Sequence, residues 1–385
     1  MRNARAGIAV IAAVTLGACS GGTLGSAPHR SAQPSRAASS TSSEPSPSPQ
    51  PSLVLGPRLD PKRLPALPAR GVAVQAHGSL VFVGLDGTVF GHIDDFELDF
   101  DLPFSVGLLA VSGGQEFAID PGRGTVSGLR GNRVPLTAGA RLTLHPTGDQ
   151  ETHWTLDLAG GRRVVFPPSQ VRVSVGHDLV TSQVFRIREG IATPVSSQVV
   201  DVATGESQSL PRACWVAQRL DDRWLLACWP SGPGHPSWIG ILGPRGGVSR
   251  LVRAPRGPGG VSRLVRAPRG PNGRAALGHW ERAEVSPNGS TLLLQWSGEC
   301  EVPTAYVAPA SGGRPRTVAG GRPRVESVTL GWAPPARPVV FLPQAACGAG
   351  FERPGVYVFS RSGGHRLVYA TDREFTDVVM WRPGP

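Results

Sequence analysis

The chain has 385 residues with a formal net charge of +11, yet only 17 % of its residues are charged, and it holds Gly 50 and Pro 38. That composition excludes a coiled coil or a bundle of long solvent-facing helices and points to many turns between short strands. Arginine supplies nearly all the positive charge, Lys62 being the only lysine, a bias that a GC-rich genome produces by itself.

In chain order, the first element is a leader. Arg2 and Arg5 precede AGIAVIAAVTL (6–16), eleven uncharged residues. As a helix this run spans roughly 16 Å, too short for a bilayer core, and it reads as a secretory signal. Leu16, Gly17, Ala18 and Cys19 resemble the lipobox of bacterial lipoproteins. The resemblance implies cleavage before Cys19 and attachment of a diacylglyceryl group to its sulfur; an ordinary signal peptide cut near Ala18, with an incidental thiol, is the other reading. Residues 1–18 are therefore expected to be the signal peptide. Residues 19–52, Ser- and Pro-rich and nearly free of large apolar side chains, are expected to be a disordered tether, and 53–385 a folded domain. No second run of eighteen apolar residues follows. The expected address is the extracytoplasmic face of the cell membrane, with the membrane engaged through the N-terminal lipid and nucleic acid excluded as a partner.

From Gly71 onward the pattern is that of strands: GVAVQAHGSLVFVGLDGTVFGHI opens the domain. In HIDDFELDFDLP (92–103) the acidic residues suggest a metal site, but Phe96, Leu98, Phe100 and Leu102 alternate with Glu97, Asp99 and Asp101. That is the period of one half-buried strand with its carboxylates in water. Further units are read at about 106–137, 141–166, 170–210 and from 213. Within the last of these, GGVSRLVRAPRGP (246–258) is repeated without change at 259–271. A perfect copy reads as a recent duplication tolerated in a loop, with one copy expected to form a strand and the other a loop. Arg250, Arg253, Arg263 and Arg266 in these copies are candidate anion or partner contacts.

The C-terminal units are the clearest. EVSPNGSTLLLQWSG (284–298) and TAYVAPASGGRPRTV (304–318) read as strand, turn, strand, loop, strand, Gly-Gly turn, strand. The phrase returns about 46 residues later as LGWAPPARPVVFLP (330–343) and GVYVFSRSGGHRLVY (355–369). Four short antiparallel strands at a period of 40–50 residues predict an all-β fold, a β-propeller of about seven four-stranded blades, with six or eight also compatible. Val285, Ser286, Pro287, Asn288 and Gly289, and Trp332, Ala333 and Pro334, resemble the W-S-P-D-G turn of the TolB-like propellers, a resemblance that implies fold and little chemistry. FTDVVMWRPGP (375–385) repeats the start of a unit, so Asp377 to Trp381 is expected to close the ring by pairing near Gly71 to Val83.

Cys214 and Cys228 lie symmetrically about residue 221, so a simple hairpin sets them opposite each other. Cys300 and Cys347 fall in equivalent loops of successive units. Disulfides Cys214–Cys228 and Cys300–Cys347 are expected, free thiols being the alternative. Six of the nine tryptophans sit in or beside predicted strands, whereas Trp238 follows the loop SGPGHPS and is a candidate partner contact. No nucleophile elbow, H-E-x-x-H, C-x-x-C or phosphate-binding loop is present, and the nine histidines are scattered, so no catalytic residue, metal or cofactor is assigned. The function expected is a non-catalytic scaffold for a protein or cell-envelope polymer; the alternative is a hydrolase, lyase or lactonase using residues that converge on the channel. Three or more His or carboxylate side chains at one mouth of the channel would favour the enzyme, an arginine-lined channel the scaffold.

Overall fold

Short apolar runs separated by Gly, Asn and Pro turns form antiparallel strands throughout. The computed structural model describes residues 53–98, 108–129, 133–145, 153–188, 191–229, 237–243, 262–266, 278–298, 303–319, 326–343, 353–360, 362–371 and 377–382. Among these residues the strands make seven four-stranded antiparallel sheets, the blades of a β-propeller. Blade 1 contains β1 (Gly71–Ala76), β2 (Ser79–Gly84) and β3 (Val89–Asp94). Blade 2 is β4 (Glu97–Leu98), β5 (Leu108–Ser112), β6 (Gln115–Asp120) and β7 (Thr125–Gly128). Blade 3 is β8 (Arg133–Pro135), β9 (Arg141–His145), β10 (His153–Asp157) and β11 (Arg163–Val165). Blade 4 is β12 (Gln170–Val173), β13 (Leu179–Arg188), β14 (Ile191–Asp201) and β15 (Ser207–Leu210). Blade 5 is β16 (Cys214–Leu220), β17 (Arg223–Cys228), β18 (Trp238–Leu242) and β19 (Ser262–Arg266). Blade 6 is β20 (Gly278–Val285), β21 (Thr291–Gly298), β22 (Pro303–Pro309) and β23 (Arg316–Thr317). Blade 7 is β24 (Val328–Ala333), β25 (Arg337–Leu342), β26 (Gly355–Phe359) and β27 (His365–Ala370).

The last strand, β28 (Val378–Trp381), returns to blade 1 and pairs with β1 from Gly71↔Trp381 to Val74↔Val378, giving the order β28-β1-β2-β3. The expected closure is therefore present. Trp381 fixes it: its ring meets Phe82 edge-on at 5.9 Å and its indole N–H donates to the Pro68 carbonyl at 2.9 Å. The core lies between blades, where alternate residues of each strand pack on the neighbouring sheet. Val171, Val173, Val180 and Val200 of blade 4 meet Leu142, Trp154 and Leu156 of blade 3, and Leu179 and Val199, on the opposite face, meet Cys214, Val216 and Leu226 of blade 5.

Several details differ from the sequence reading. The acidic stretch is not one strand: Asp95, with φ of 62°, ends β3, and Glu97–Leu98 begins blade 2. Residues 99–107, which carry the later part of the alternation, lie outside the described residues. Arg133–Pro135 belongs to blade 3 rather than closing the preceding unit, because three residues with a proline give no periodic signal of their own. In the duplicated segment the second copy provides β19, while 246–258 lies outside the described residues. Residues 54–68, which carry no strand pattern, run along the outside of blade 1: Leu59 N–H donates to the His92 carbonyl at 2.8 Å, and Leu64 and Leu67 are buried with Phe96 and Ile119. This strap covers the outer edge of β3, an edge otherwise open to pairing.

Candidate functional site

Side chains from non-adjacent blades can meet only near the axis, and the first strand of each sheet is where they do. Arg382, just after β28 in blade 1, pairs with Glu284 of β20 in blade 6 and donates to the Leu330 carbonyl of β24 at 3.4 Å. Arg282 of β20 donates to the carbonyls of Thr329 at 2.9 Å and Leu330 at 3.5 Å. Burial and the neighbouring Arg382 pull Arg282 below the usual arginine range. Gly331 makes room for this: a Cβ there would lie 2.6 Å from Arg382 Nη2 and 2.9 Å from Met380 Sδ.

A recurrent irregularity aims these groups. The first strands of blades 5, 6 and 7 each carry a bulge against their second strand, at Ala217, Glu281 and Leu330. A bulge leaves one residue outside the ladder and re-aims the side chains beyond it. Thus Arg282 comes directly after the bulge in blade 6, and in blade 7 the unpaired Leu330 carbonyl faces two guanidinium groups. In blade 5 the same device sets the disulfide. The two-residue turn pairs Leu220 with Arg223 and by itself would set Cys214 opposite Trp229; the slip at Ala217 makes the pair Cys214↔Cys228, and the two are bonded.

Arg172 on β12 stands apart. Its neighbours Val171 and Val173 pack toward blade 3, so the alternation turns Arg172 toward blade 5. There its guanidinium lies 4.3 Å from the centre of the Trp215 ring and 5.2 Å from that of Trp229. Trp229 also meets His279 at 4.7 Å and Phe185 at 6.0 Å, so the two indoles beside the charge belong to a cluster of four aromatic rings from three blades. Burial pushes Arg172 down to about 10, partly offset by Glu281, and the guanidinium remains charged at neutral pH. Burial, with Arg172 adding to it against Glu281, lowers His279 as well. Among the described residues Arg172 makes no hydrogen bond, and its Nε is buried without an acceptor; the same is true of both amide atoms of Gln183, of Ser197 Oγ and of the Trp229 indole N–H. Each such unmade bond costs about 1–3 kcal/mol.

Several carboxylates are engaged, whereas burial raises the carboxyl of Asp377, just before the innermost strand β28. Asp178 and Asp201 both bind Arg219, and Glu281 accepts from Gln295 Nε2 at 2.8 Å. His177, in the turn after β12, is pushed down to about 4, first by burial and then by Arg382, with Asp178 opposing. Among the described residues no group of three or more His, Cys, Asp or Glu could hold a metal ion.

Of the residues that stand out in the sequence, Cys214 and Cys228 form a disulfide. Trp238 opens β18, after the loop, and is half-buried, packed against the blade 4–5 core. Arg263 and Arg266 lie on β19, opposite Gly240 and Trp238 on the outermost strand of blade 5. Cys19, Arg250, Arg253, Cys300 and Cys347 lie outside the described residues. Arg172, Arg282 and Arg382 do not stand out in the sequence, because each is one arginine among many; ring closure brings Arg382 of blade 1 to Arg282 of blade 6, and Arg172 lies apart from them, against blade 5.

No family model matches this chain, and no curated protein matches it. Among solved structures it is similar to the uncomplexed acylaminoacyl peptidase of Pyrococcus horikoshii, at 12% identity and TM-score 0.49, over 83% of this chain and 52% of that one. It is also similar to the β-propeller domain of the Trilobed protease of Pyrococcus furiosus, at 10% identity and TM-score 0.48, over 83% and 97%. TolB from Acinetobacter baumannii is similar at 11% identity and TM-score 0.38, over 81% and 66%. The chain spans about half the length of the peptidase it matches.

Proposed function

We propose that this chain is an exported lipoprotein, cut before Cys19 and held at the extracytoplasmic face of the cell membrane, whose propeller is a non-catalytic scaffold for a protein or cell-envelope polymer. The anchor rests on the leader and on residues 16–19. Two acyl chains suffice for stable attachment, and a flexible tether of this length has a reach of roughly 30 Å.

The observation that carries the scaffold reading is the engagement of four carboxylates by guanidinium or amide groups: Glu284 by Arg382, Asp178 and Asp201 by Arg219, Glu281 by Gln295. A general base must hold a lone pair toward its substrate, and these hold theirs toward fixed donors. Crosslinking in native envelopes, with pull-down through the propeller, tests the proposal beside a Cys19→Ala form. The expected result is a membrane-bound wild type with a reproducible partner and a Cys19→Ala form released to the soluble fraction. A Cys19→Ala form that stays in the membrane removes the anchor; turnover of a small substrate with no partner recovered from either form removes the scaffold.

A further inference from the structure

Among the described residues, five buried side-chain atoms without a hydrogen-bond partner lie at the wall between blades 4 and 5, on Arg172, Gln183, Ser197 and Trp229; the others are scattered over the propeller. Arg172 and Thr181 are cross-strand partners, as are Gln183 and Ser197, so Arg172, Gln183 and Ser197 share the face of blade 4 that turns toward blade 5. Thr181 on that face is satisfied, its Oγ1 accepting from Val216 N–H at 3.1 Å. Its neighbours are not: Arg172 Nε and the Trp229 N–H lack acceptors, and the fully buried Gln183 amide lacks both donor and acceptor. Arg282 and Arg382 bind carbonyls or a carboxylate, whereas Arg172 has only the faces of Trp215 and Trp229. Groups left in this state destabilise the empty fold and gain when a ligand completes them.

We propose that the wall between blades 4 and 5 binds an organic carboxylate, received by Arg172 and Gln183 on a floor of Trp215 and Trp229. The donors suit a planar oxyanion, which a guanidinium edge meets with two parallel bonds. Glu281 lies within electrostatic range of Arg172 and favours a single negative charge over the double charge of phosphate. Gln183 Oε1 selects a hydroxyl or N–H beside the carboxylate. The site stands whether or not the loops of the propeller engage a partner.

The test is titration of the full chain in detergent with sodium lactate, sodium propionate, methyl lactate and inorganic phosphate, monitored by tryptophan fluorescence and thermal unfolding. Lactate is expected to give a saturable change and to raise Tm, propionate to bind more weakly, and methyl lactate to give no change. Arg172→Met is expected to keep or raise the Tm of the unliganded chain while weakening lactate about 30-fold or more. Gln183→Glu supplies a carboxylate from within, so it is expected to raise Tm and to block lactate. A lowered unliganded Tm in both variants assigns Arg172 to the fold and overturns the proposal. So do lactate binding that survives Arg172→Met, phosphate binding tighter than lactate, or no saturable response to lactate.

Discussion

His177 holds φ at 60°, and its Nε2 is buried without a partner in the turn that precedes β13. Its folded pKa of about 4 lies below that of a free imidazole, about 6.5, so the unfolded chain binds the proton more readily. The stability this group contributes is complete above about pH 6.5 and is lost as the pH falls toward 4. His177→Asn removes the titration and tolerates the left-handed backbone. Between pH 7 and pH 4 the wild type is expected to lose on the order of 2 kcal/mol more than the variant, allowing for partial exposure; urea midpoints at the two pH values measure this, and parallel losses would show that the imidazole is not enclosed. The cysteine pair gives a second residue-scale expectation. Replacing Cys214 and Cys228 together by alanine should lower stability by about 3 kcal/mol, as for a closed loop of this size, and should reduce the sensitivity of the unfolding midpoint to reductant.

At the scale of elements, neighbouring blades are joined by side chains that reach from one sheet into the backbone of the next. Gln75 of β1 accepts from Leu98 N–H at 2.9 Å and donates to the Phe96 carbonyl at 3.1 Å. Gln295 of β21 accepts from Thr329 N–H at 3.1 Å, and Thr181 plays the same part toward Val216. For β4, two residues long, such a clasp adds to a short ladder; β16 and β24 have long ladders of their own. Gln75→Leu should cost about 1–3 kcal/mol and raise amide exchange at Leu98 selectively, because a partly buried N–H loses its acceptor. An unchanged exchange rate at Leu98 would mean that the ladder alone holds β4. Elements of this kind explain what the sequence displays and what it conceals. The long strands around Ser286–Gly289 and Pro334–Ala336 show themselves through their turns and apolar runs, whereas β4 and β8 are too short to have a period. The bulges at Ala217, Glu281 and Leu330 leave no local mark, since a one-residue slip is visible only when the partner strand is known.

For the whole molecule, the repeat period leads to about seven blades, with six or eight also compatible, and to the closing strand, because both depend on patterns that recur along the chain. The site between blades 4 and 5 does not show itself for the opposite reason: Arg172, Trp215, Trp229 and His279 belong to three successive blades, and their proximity follows from the packing of those sheets and from no local pattern. Deleting residues 377–385 removes β28, strips β1 of its partner and exposes the wall that Trp381 covers. The loss of Trp381 alone corresponds to about 3–5 kcal/mol. The truncated chain is expected to unfold without a single cooperative transition in calorimetry and to self-associate in sedimentation velocity; a stable monomer would show that the ring holds without its clasp. The position of β28 also bears on biogenesis. Since the axial edge of β1 waits for Val378–Trp381, a chain made N-terminus first carries a bare template on β1 until those residues have been made, so whatever guards that edge has to remain until they arrive.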